Sequence, residues 1–130
     1  MQTKRIIAAV IQKGNTFLIA QRGKKDSNFE KWEFPGGKVE QNETDHQCLQ
    51  RELFEELGIV AEIGDYLCSI QFTHNNQSME MIAYFVPAFN GTITLHEHLA
   101  IEWVTPDVMH KFDFPEPDLP IVEALMQRCL

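Results

Sequence analysis

Three glutamates, Glu52, Glu55 and Glu56, are the residues of this chain whose types and spacing most clearly allow chemistry. On an α-helix, positions three and four apart share a face, so their carboxylates would converge within about one turn. Mg²⁺ and similar hard cations prefer such oxygen ligands. The spacing therefore predicts a divalent-cation site, with a solvated acidic face as the alternative interpretation.

The residues around the glutamates favour the cation site. Gly36 and Gly37 would let a loop backbone approach closely and present a carbonyl oxygen as a further ligand. Arg51 can hold carboxylates in bidentate geometry, as a support for this site or as an ordinary ion pair. A bound cation would reverse the local potential, which would allow a chain of formal net charge −8 to bind a polyphosphate.

A helix from about residue 44 to 57 is the element that must position these carboxylates. Thr44 followed by Gln47 fits a capping box at its start, and Gly58 fits a C-terminal cap. A separate apolar stripe would bury the helix against a sheet, so the carboxylates would line an edge beside the core. This stripe consists of Leu49, Leu53 and Leu57.

The remaining pattern predicts one mixed α/β domain that spans residues 1–130. The sequence Pro35-Gly36-Gly37 predicts a sharp break in the backbone. A short helix is predicted at 106–111 and an amphipathic helix at about 118–128. Strands are predicted at 4–11, 16–21, 59–72, 79–87 and 100–104, with a short extended piece at 32–34.

The composition limits the classes of function that fit. Apolar residues make up 44% of the 130 residues, enough for a buried core, and no apolar run approaches a membrane span. The negative net charge argues against binding to a nucleic-acid polymer. Widely spaced Cys48, Cys68 and Cys129 favour reduced thiols over disulfides. We expect a cytoplasmic monomer or homodimer that binds neither nucleic-acid polymers nor membranes.

The stretch from residue 37 to 59 resembles the Nudix box, a family motif of glycine, glutamate and arginine at fixed spacings. Every defined position is filled, by Gly37, Glu43, Arg51, Glu52, Leu53, Glu55, Glu56, Gly58 and Ile59. The resemblance implies an α/β/α sandwich around a mixed β-sheet. It also implies an enzyme that uses Mg²⁺ or Mn²⁺ to hydrolyse nucleoside diphosphates linked to another group.

The resemblance further implies what the residues of this stretch do. A water molecule would attack a phosphorus while cations neutralise the developing charge, and a carboxylate would take the proton. Arg51 and Glu43 would orient the metal ligands, whereas Gly37 and Gly58 would give structural support. The implied metal ligands are the Gly36 carbonyl oxygen and the carboxylates of Glu52, Glu55 and Glu56.

Glu97 lies outside the box, a few residues before a tryptophan. In MutT-like relatives a glutamate so placed serves as an extra metal ligand or as the base; a solvated loop carboxylate is the alternative. The general base stays open among Glu52, Glu55 and Glu97. His96 and His98 are interpreted as polar loop residues that could touch substrate, because no further zinc ligand is evident.

Nearly the whole chain resembles the MutT-like branch and, within it, the bacterial CTP pyrophosphohydrolases. The segments AQR, WEFPGGKVE and LHEH and the tail DLPIVEAL carry this likeness. It implies cleavage of a nucleoside triphosphate between the α and β phosphates, giving the monophosphate and pyrophosphate. The implied substrate-binding residues are Arg22 for the nucleotide, Lys38 for a phosphate, Phe34 for the base or the core, and Asp118 for the base edge.

Asp118 is the residue that bears on the choice of base. An ionised aspartate only accepts hydrogen bonds, which suits the amino group of cytosine or guanine. We expect CTP, dCTP or modified pyrimidine nucleotides as substrates, with 8-oxo-dGTP as the alternative. Two further candidate classes are a non-catalytic nucleotide-binding domain and an enzyme that acts on non-nucleotide diphosphates. Turnover of nucleotides with Mg²⁺ would separate both classes from a nucleotide hydrolase.

Overall fold

A computed structural model describes residues 2–128, so Cys129 lies outside the described residues. Strands and helices are interspersed along the chain, as the sequence predicts. The helices are α1 (Asp45–Leu57) and α2 (Leu119–Arg128), with 3₁₀ segments at Pro106–Lys111 and Glu116–Asp118. The strands are β1 (Lys4–Lys13), β2 (Thr16–Gln21), β3 (Trp32–Glu33), β4 (Gly36–Lys38), β5 (Val60–Glu62), β6 (Tyr66–His74), β7 (Gln77–Val86), β8 (Ala88–Asn90) and β9 (Ala100–Val104).

Strand β1 organises a mixed sheet. It pairs in parallel with β7 from Lys4 opposite Met79 to Ile11 opposite Val86. It also pairs antiparallel with β2 and with β4. Strand β6 continues the sheet beyond β7, while β3 and β9 both pair with β2. Strands β5 and β8 form a separate two-stranded ladder.

Side chains along β1 alternate between two buried faces. Ile7, Ala9 and Ile11 belong to a core cluster that includes the leucines of α1. Ala8 and Val10 belong to a second cluster that includes apolar residues of α2. Because successive strand residues point to opposite faces, the two helices cover opposite sides of the sheet. This arrangement confirms the predicted α/β/α sandwich.

Helix α1 begins and ends where the sequence predicts. The Gln47 backbone N–H donates to Thr44 Oγ1 at 3.1 Å, and the Thr44 N–H donates to Gln47 Oε1 at 3.0 Å. Gly58 has a left-handed φ of 70°, and its N–H donates to the Phe54 carbonyl oxygen. The predicted stripe is fully buried, and comprises Leu49, Leu53 and Leu57.

The sharp backbone break predicted at Pro35-Gly36-Gly37 is misplaced: the chain leaves β3 at Phe34-Pro35, and residues 36–38 form β4. Gly36 lies opposite Ala8 of β1, and a Cβ at Gly36 would stand only 1.9 Å from the Ile7 carbonyl oxygen. Only a residue without a side chain allows this strand to come so close to β1. The Gly-Gly pair therefore joins a sheet instead of interrupting one.

The single strand predicted at 59–72 is also wrong. The structure has two strands there, β5 and β6, because β5 leaves the main sheet to pair with β8. Between them the Gly64 N–H donates to the Phe85 carbonyl oxygen. Strand β6 then runs to His74 and turns into β7 through Asn75 and Asn76, both with positive φ.

None of the helices in residues 2–128 combines the length and the apolar character that a membrane span requires.

Candidate metal and nucleotide site

A cleft of about 190 Å³ opens beside helix α1. Its walls come from the end of β2 and the residues after it, from β3 and β4, from α1 and from the segment before β9. Most of its lining side chains are charged, as expected for a site that handles ions. The lining residues are Arg22, Gly23, Lys24, Glu33, Gly36, Glu52, Glu56, Glu97 and His98.

Glu56 is the most buried carboxyl group of the cleft, with 5% of its surface exposed. Burial, followed by the adjacent Glu52 carboxylate, raises the pKa of Glu56 far above its ordinary value. Glu33 and Glu97 raise it further. Three further carboxylates therefore lie close enough to Glu56 to disfavour its ionisation. Oxygen donors crowded in this way fit a hard divalent cation such as Mg²⁺.

Glu52 is placed by its contact with Gly37 of β4. A Cβ at Gly37 would lie 2.3 Å from the carboxyl carbon of Glu52, so the Glu52 side chain occupies the space that a larger residue would need. Gly36, beside it, lines the cleft. The two glycines therefore let the β4 backbone approach the Glu52 carboxylate closely, and the Gly36 carbonyl oxygen as a metal ligand stays a prediction.

Arg51 joins the carboxylates around α1. Its Nε and Nη2 contact the two oxygens of Glu43 at 2.5 and 3.1 Å. Its Nη1 donates to Glu52 and to Glu55, both at 2.9 Å. The hydrogen bonds from Arg51 are the largest cause that lowers the pKa of Glu43 to about 2. This geometry suits the predicted orienting role of the Arg51–Glu43 pair.

Glu55 lies outside the cleft. Half of its side chain is exposed, at 51%, and Arg51 holds its carboxylate at the outer edge of α1. The structure therefore brings Glu52 and Glu56 together in the cleft, whereas the Glu55 side chain lies outside it. Its role as metal ligand or base stays a prediction.

The segment before β9 brings Glu97 and His98 to the cleft. Glu97 is exposed and lines the opening. His98 lies in the loop before β9, as interpreted, but it is buried, with 9% exposed, and its contact with substrate stays a prediction. His96 is exposed, and its Nδ1 lies 2.8 Å from the Glu55 carbonyl oxygen.

Sequence reasoning missed Glu33, the residue that links the two sides of the cleft. Glu33 Oε1 accepts from Arg22 Nη1 at 2.7 Å, and Glu33 Oε2 lies 2.9 Å from His98 Nε2. His98 Nε2 also lies 3.6 Å from Glu56 Oε1. Glu33, Glu56 and His98 thus offer metal-ligating atoms within 4.8 Å of one another. The sequence signal that could have pointed to Glu33 was its position as a single carboxylate between two aromatic residues, Trp32 and Phe34.

The other three predicted substrate residues do not line the cleft. Phe34 is buried, with 4% exposed, and stacks on Phe114 at 5.6 Å between ring centroids. Asp118 accepts the Phe34 N–H at 3.2 Å, and burial raises the pKa of Asp118 to about 7. Lys38 is exposed, and its carbonyl oxygen accepts from Arg51. Their contacts with substrate stay predictions.

Comparisons with known proteins agree with the fold and the box. The NUDIX domain family model matches residues 1–125, and the chain belongs to this family. It is a Nudix hydrolase, an enzyme that acts on phosphoric anhydrides.

The relatives cover almost the full length of the chain. The chain is 39% identical over 126 residues to the CTP pyrophosphohydrolase of Escherichia coli (strain K12), covering 97% of this chain and 93% of the relative. It is 27% identical to the 8-oxo-dGTP diphosphatase of the same strain, covering 96% and 98%. These relatives confirm the predicted resemblance to MutT-like Nudix hydrolases.

Solved structures show the same fold. The solution structure of the E. coli ORF135 protein has a TM-score of 0.91 at 38% identity, covering 98% of this chain and 91% of that chain. The crystal structure of a MutT NUDIX hydrolase from Burkholderia pseudomallei has a TM-score of 0.77 at 28% identity, covering 98% of each chain. The α/β/α sandwich is therefore shared with these proteins.

Proposed function

We propose that this Nudix hydrolase is a Mg²⁺-dependent nucleoside triphosphate pyrophosphohydrolase that releases a nucleoside monophosphate and pyrophosphate. The observation that carries the proposal is the buried Glu56 carboxyl group, set among Glu52 and Glu97 beside the Gly36 backbone. Such a group is expected where a cation and a polyphosphate are bound together. The 39% identity to a CTP pyrophosphohydrolase supports this choice of substrate class.

The residues of the cleft would divide the work as follows. Gly36 and the glutamates would hold a divalent cation, Mg²⁺ or Mn²⁺, which would neutralise phosphate charge. Water forms a new P–O bond at a phosphorus next to the α–β bridging oxygen, and the bond to that oxygen breaks. The bridging oxygen keeps the electron pair, and a carboxylate takes the water's proton. The candidates for that role are Glu52 and Glu97, which line the cleft, and Glu55, which lies beside it.

The Glu55→Gln variant tests the proposed metal role of the box. We expect kcat to fall by more than about a hundredfold with the fold retained, because the amide can neither bind a cation as strongly nor accept a proton. Steady-state turnover and circular dichroism are the measurements. Glu62→Gln, on the exposed side of β5, is the matched control and should keep normal activity. Near-normal kcat in Glu55→Gln would contradict the metal assignment.

We propose CTP, dCTP or modified pyrimidine nucleotides as the preferred substrates. The 39% identity to a CTP pyrophosphohydrolase supports this, and an ionised Asp118 carboxylate would accept from the amino group of cytosine. A second candidate, 8-oxo-dGTP, is favoured by the relatives whose names are 8-oxo-dGTP diphosphatase. Product analysis with Mg²⁺ over CTP, dCTP, 5-methyl-dCTP, dGTP and 8-oxo-dGTP decides between them. Asp118→Ala should change the ranking of bases more than the rate on the best one.

We propose in addition that the enzyme acts in the cytoplasm as one domain, as a monomer or homodimer, without a nucleic-acid or membrane partner. The net charge of −8 supports this, because phosphate backbones and anionic lipid surfaces would repel the chain. Light scattering after gel filtration measures the oligomeric state. If no nucleotide is turned over but CTP is bound, the protein is a nucleotide-binding domain instead.

A further inference from the structure

The charges that line the cleft are unequal in number. Four carboxylates and only two cationic side chains face it, although the proposed substrate is strongly anionic. Bound cations would serve the phosphates nearest the glutamates, but the far end of a triphosphate needs its own positive partner. The cationic side chains are Arg22 and Lys24.

The charge of Arg22 is already balanced within the protein. Its Nη1 contacts Glu33 Oε1 at 2.7 Å, and its Nη2 contacts Asp26 Oδ2 at 2.7 Å. These two ion pairs hold the guanidinium group across the base of the loop that follows β2. Arg22 therefore adds little net positive charge to the cleft.

Lys24, unlike Arg22, forms no ion pair in the part of the chain that the structure describes. Its charge contributes to the lowered pKa of Asp26, but the short contact to that carboxylate comes from Arg22. Lys24 is exposed and lines the cleft on the same side as Glu97. Its ammonium group is thus available to an anion that enters.

The backbone around Lys24 is held in place. A Cβ at Gly23 would lie 2.5 Å from the Glu97 carbonyl oxygen, so the loop and the segment before β9 are in close contact. The Lys24 carbonyl oxygen accepts the Asp26 N–H at 2.9 Å. The Arg22 N–H donates to the Lys31 carbonyl oxygen at 2.8 Å, which closes the loop at its base. Lys24 therefore belongs to a preformed wall.

We propose that Lys24 binds the pyrophosphate end of the substrate, the part that leaves when the α–β bridge is broken. This inference rests on the proposed function. The ammonium group would neutralise the charge that the bridging oxygen and its neighbours gain as the P–O bond breaks. Lys24 is then a determinant of specificity for a long phosphate chain, whereas base and sugar are bound elsewhere.

The Lys24→Gln variant tests this by calorimetric titration with inorganic pyrophosphate and with CMP, each in the presence of Mg²⁺. We expect pyrophosphate to bind about tenfold more weakly, the loss of one charge-assisted hydrogen bond, with CMP affinity unchanged. In turnover of CTP, kcat/KM should fall by about the same factor. Lys24→Arg should restore most of both, because it restores the positive charge.

Lys25→Gln is the matched control. Lys25 is the next residue and equally exposed, but its ammonium group lies over the Phe29 ring at 5.9 Å and does not line the cleft. Equal pyrophosphate affinities in the Lys24→Gln and Lys25→Gln variants would overturn the inference, as would a wild-type protein that binds no pyrophosphate with Mg²⁺. If no triphosphate is hydrolysed but Lys24→Gln still weakens pyrophosphate binding selectively, the proposed function fails and the Lys24 site stands.

Discussion

Glu56 is a carboxyl group buried among other carboxyl groups, so the cleft is destabilised when no cation is present. In chelator at neutral pH, the Glu56→Gln variant should therefore melt higher than the wild type, by roughly 3–6 °C, because the amide is always neutral, whereas Glu56, with its raised pKa, must take up a proton on folding. The same variant should lose the rise in Tm that Mg²⁺ gives the wild type. Differential scanning fluorimetry with and without Mg²⁺ measures both effects.

Glu62→Gln again serves as the control for the Glu56 variant, since Glu62 is exposed on β5 and lies outside the box. It should leave both the metal-free Tm and the Mg²⁺ increment unchanged. A Glu56→Gln protein that keeps the full increment would show that the cation binds without this carboxylate.

Asp118 makes stability depend on pH. Burial raises the pKa of Asp118 to about 7, whereas an unfolded aspartate titrates near pH 4. Between these values the folded state holds a proton that the unfolded state releases, so stability falls as pH rises through this window. Asp118→Asn stays neutral and can still accept the Phe34 N–H. It should exceed the wild type in unfolding free energy by roughly 4 kcal/mol at pH 8.

The advantage of Asp118→Asn should shrink as pH falls, to roughly 0.5 kcal/mol at pH 4, where the folded aspartate is protonated and the unfolded aspartate is about half protonated. Urea unfolding at pH 4, 6 and 8 gives the comparison. The same advantage at every pH would mean that Asp118 keeps an ordinary pKa in the folded protein.

Helix α1 is the element that carries the box glutamates, and its first turn is fixed by a side-chain cap. Thr44→Ala removes the hydroxyl that accepts the Gln47 N–H, and should lower the free energy of unfolding by about 1 kcal/mol. Thr44→Ser keeps a hydroxyl acceptor and should lower the free energy of unfolding by only a few tenths of a kcal/mol. Urea denaturation of the three proteins tests this; equal losses in both variants would contradict the cap.

Elements whose start, end and buried face are marked within their own sequence were predictable. Elements that depend on pairing with a distant part of the chain were not. The box helix was predictable because the cap residues and the leucine stripe lie within its own sequence. Strand β4 was not, because its pairing with β1 depends on Gly36 meeting Ile7 across the sheet. Glu33 and its contact with His98 were missed for the same reason, because the two residues lie 65 positions apart. Short-range spacing reveals ligands on one helix, whereas a cleft between segments requires the tertiary fold.

The whole molecule carries a net charge of −8, which opposes the approach of any nucleotide. In chelator, raising KCl from about 20 to about 200 mM should strengthen the binding of a fluorescent CTP analogue by roughly two- to threefold, because salt screens the repulsion. With Mg²⁺ present, the same change should weaken binding. Fluorescence titration under both conditions measures the sign. Weaker binding with salt in chelator would mean that the cationic side chains of the cleft outweigh the net charge.

The parallel pairing of β1 with β7 has a consequence for how the protein is made in the cell. Lys4 pairs with Met79, so about 75 residues must leave the ribosome before the first strand meets its central partner. At roughly 5–20 residues per second, the nascent strand waits several seconds with one edge open. During that interval only β2 and the short strand β4 are available to pair with it. The cleft can therefore form only late in translation. Its Gly36 lies on β4, and the sheet that contains β4 is complete only after β7 and β9 have been synthesised.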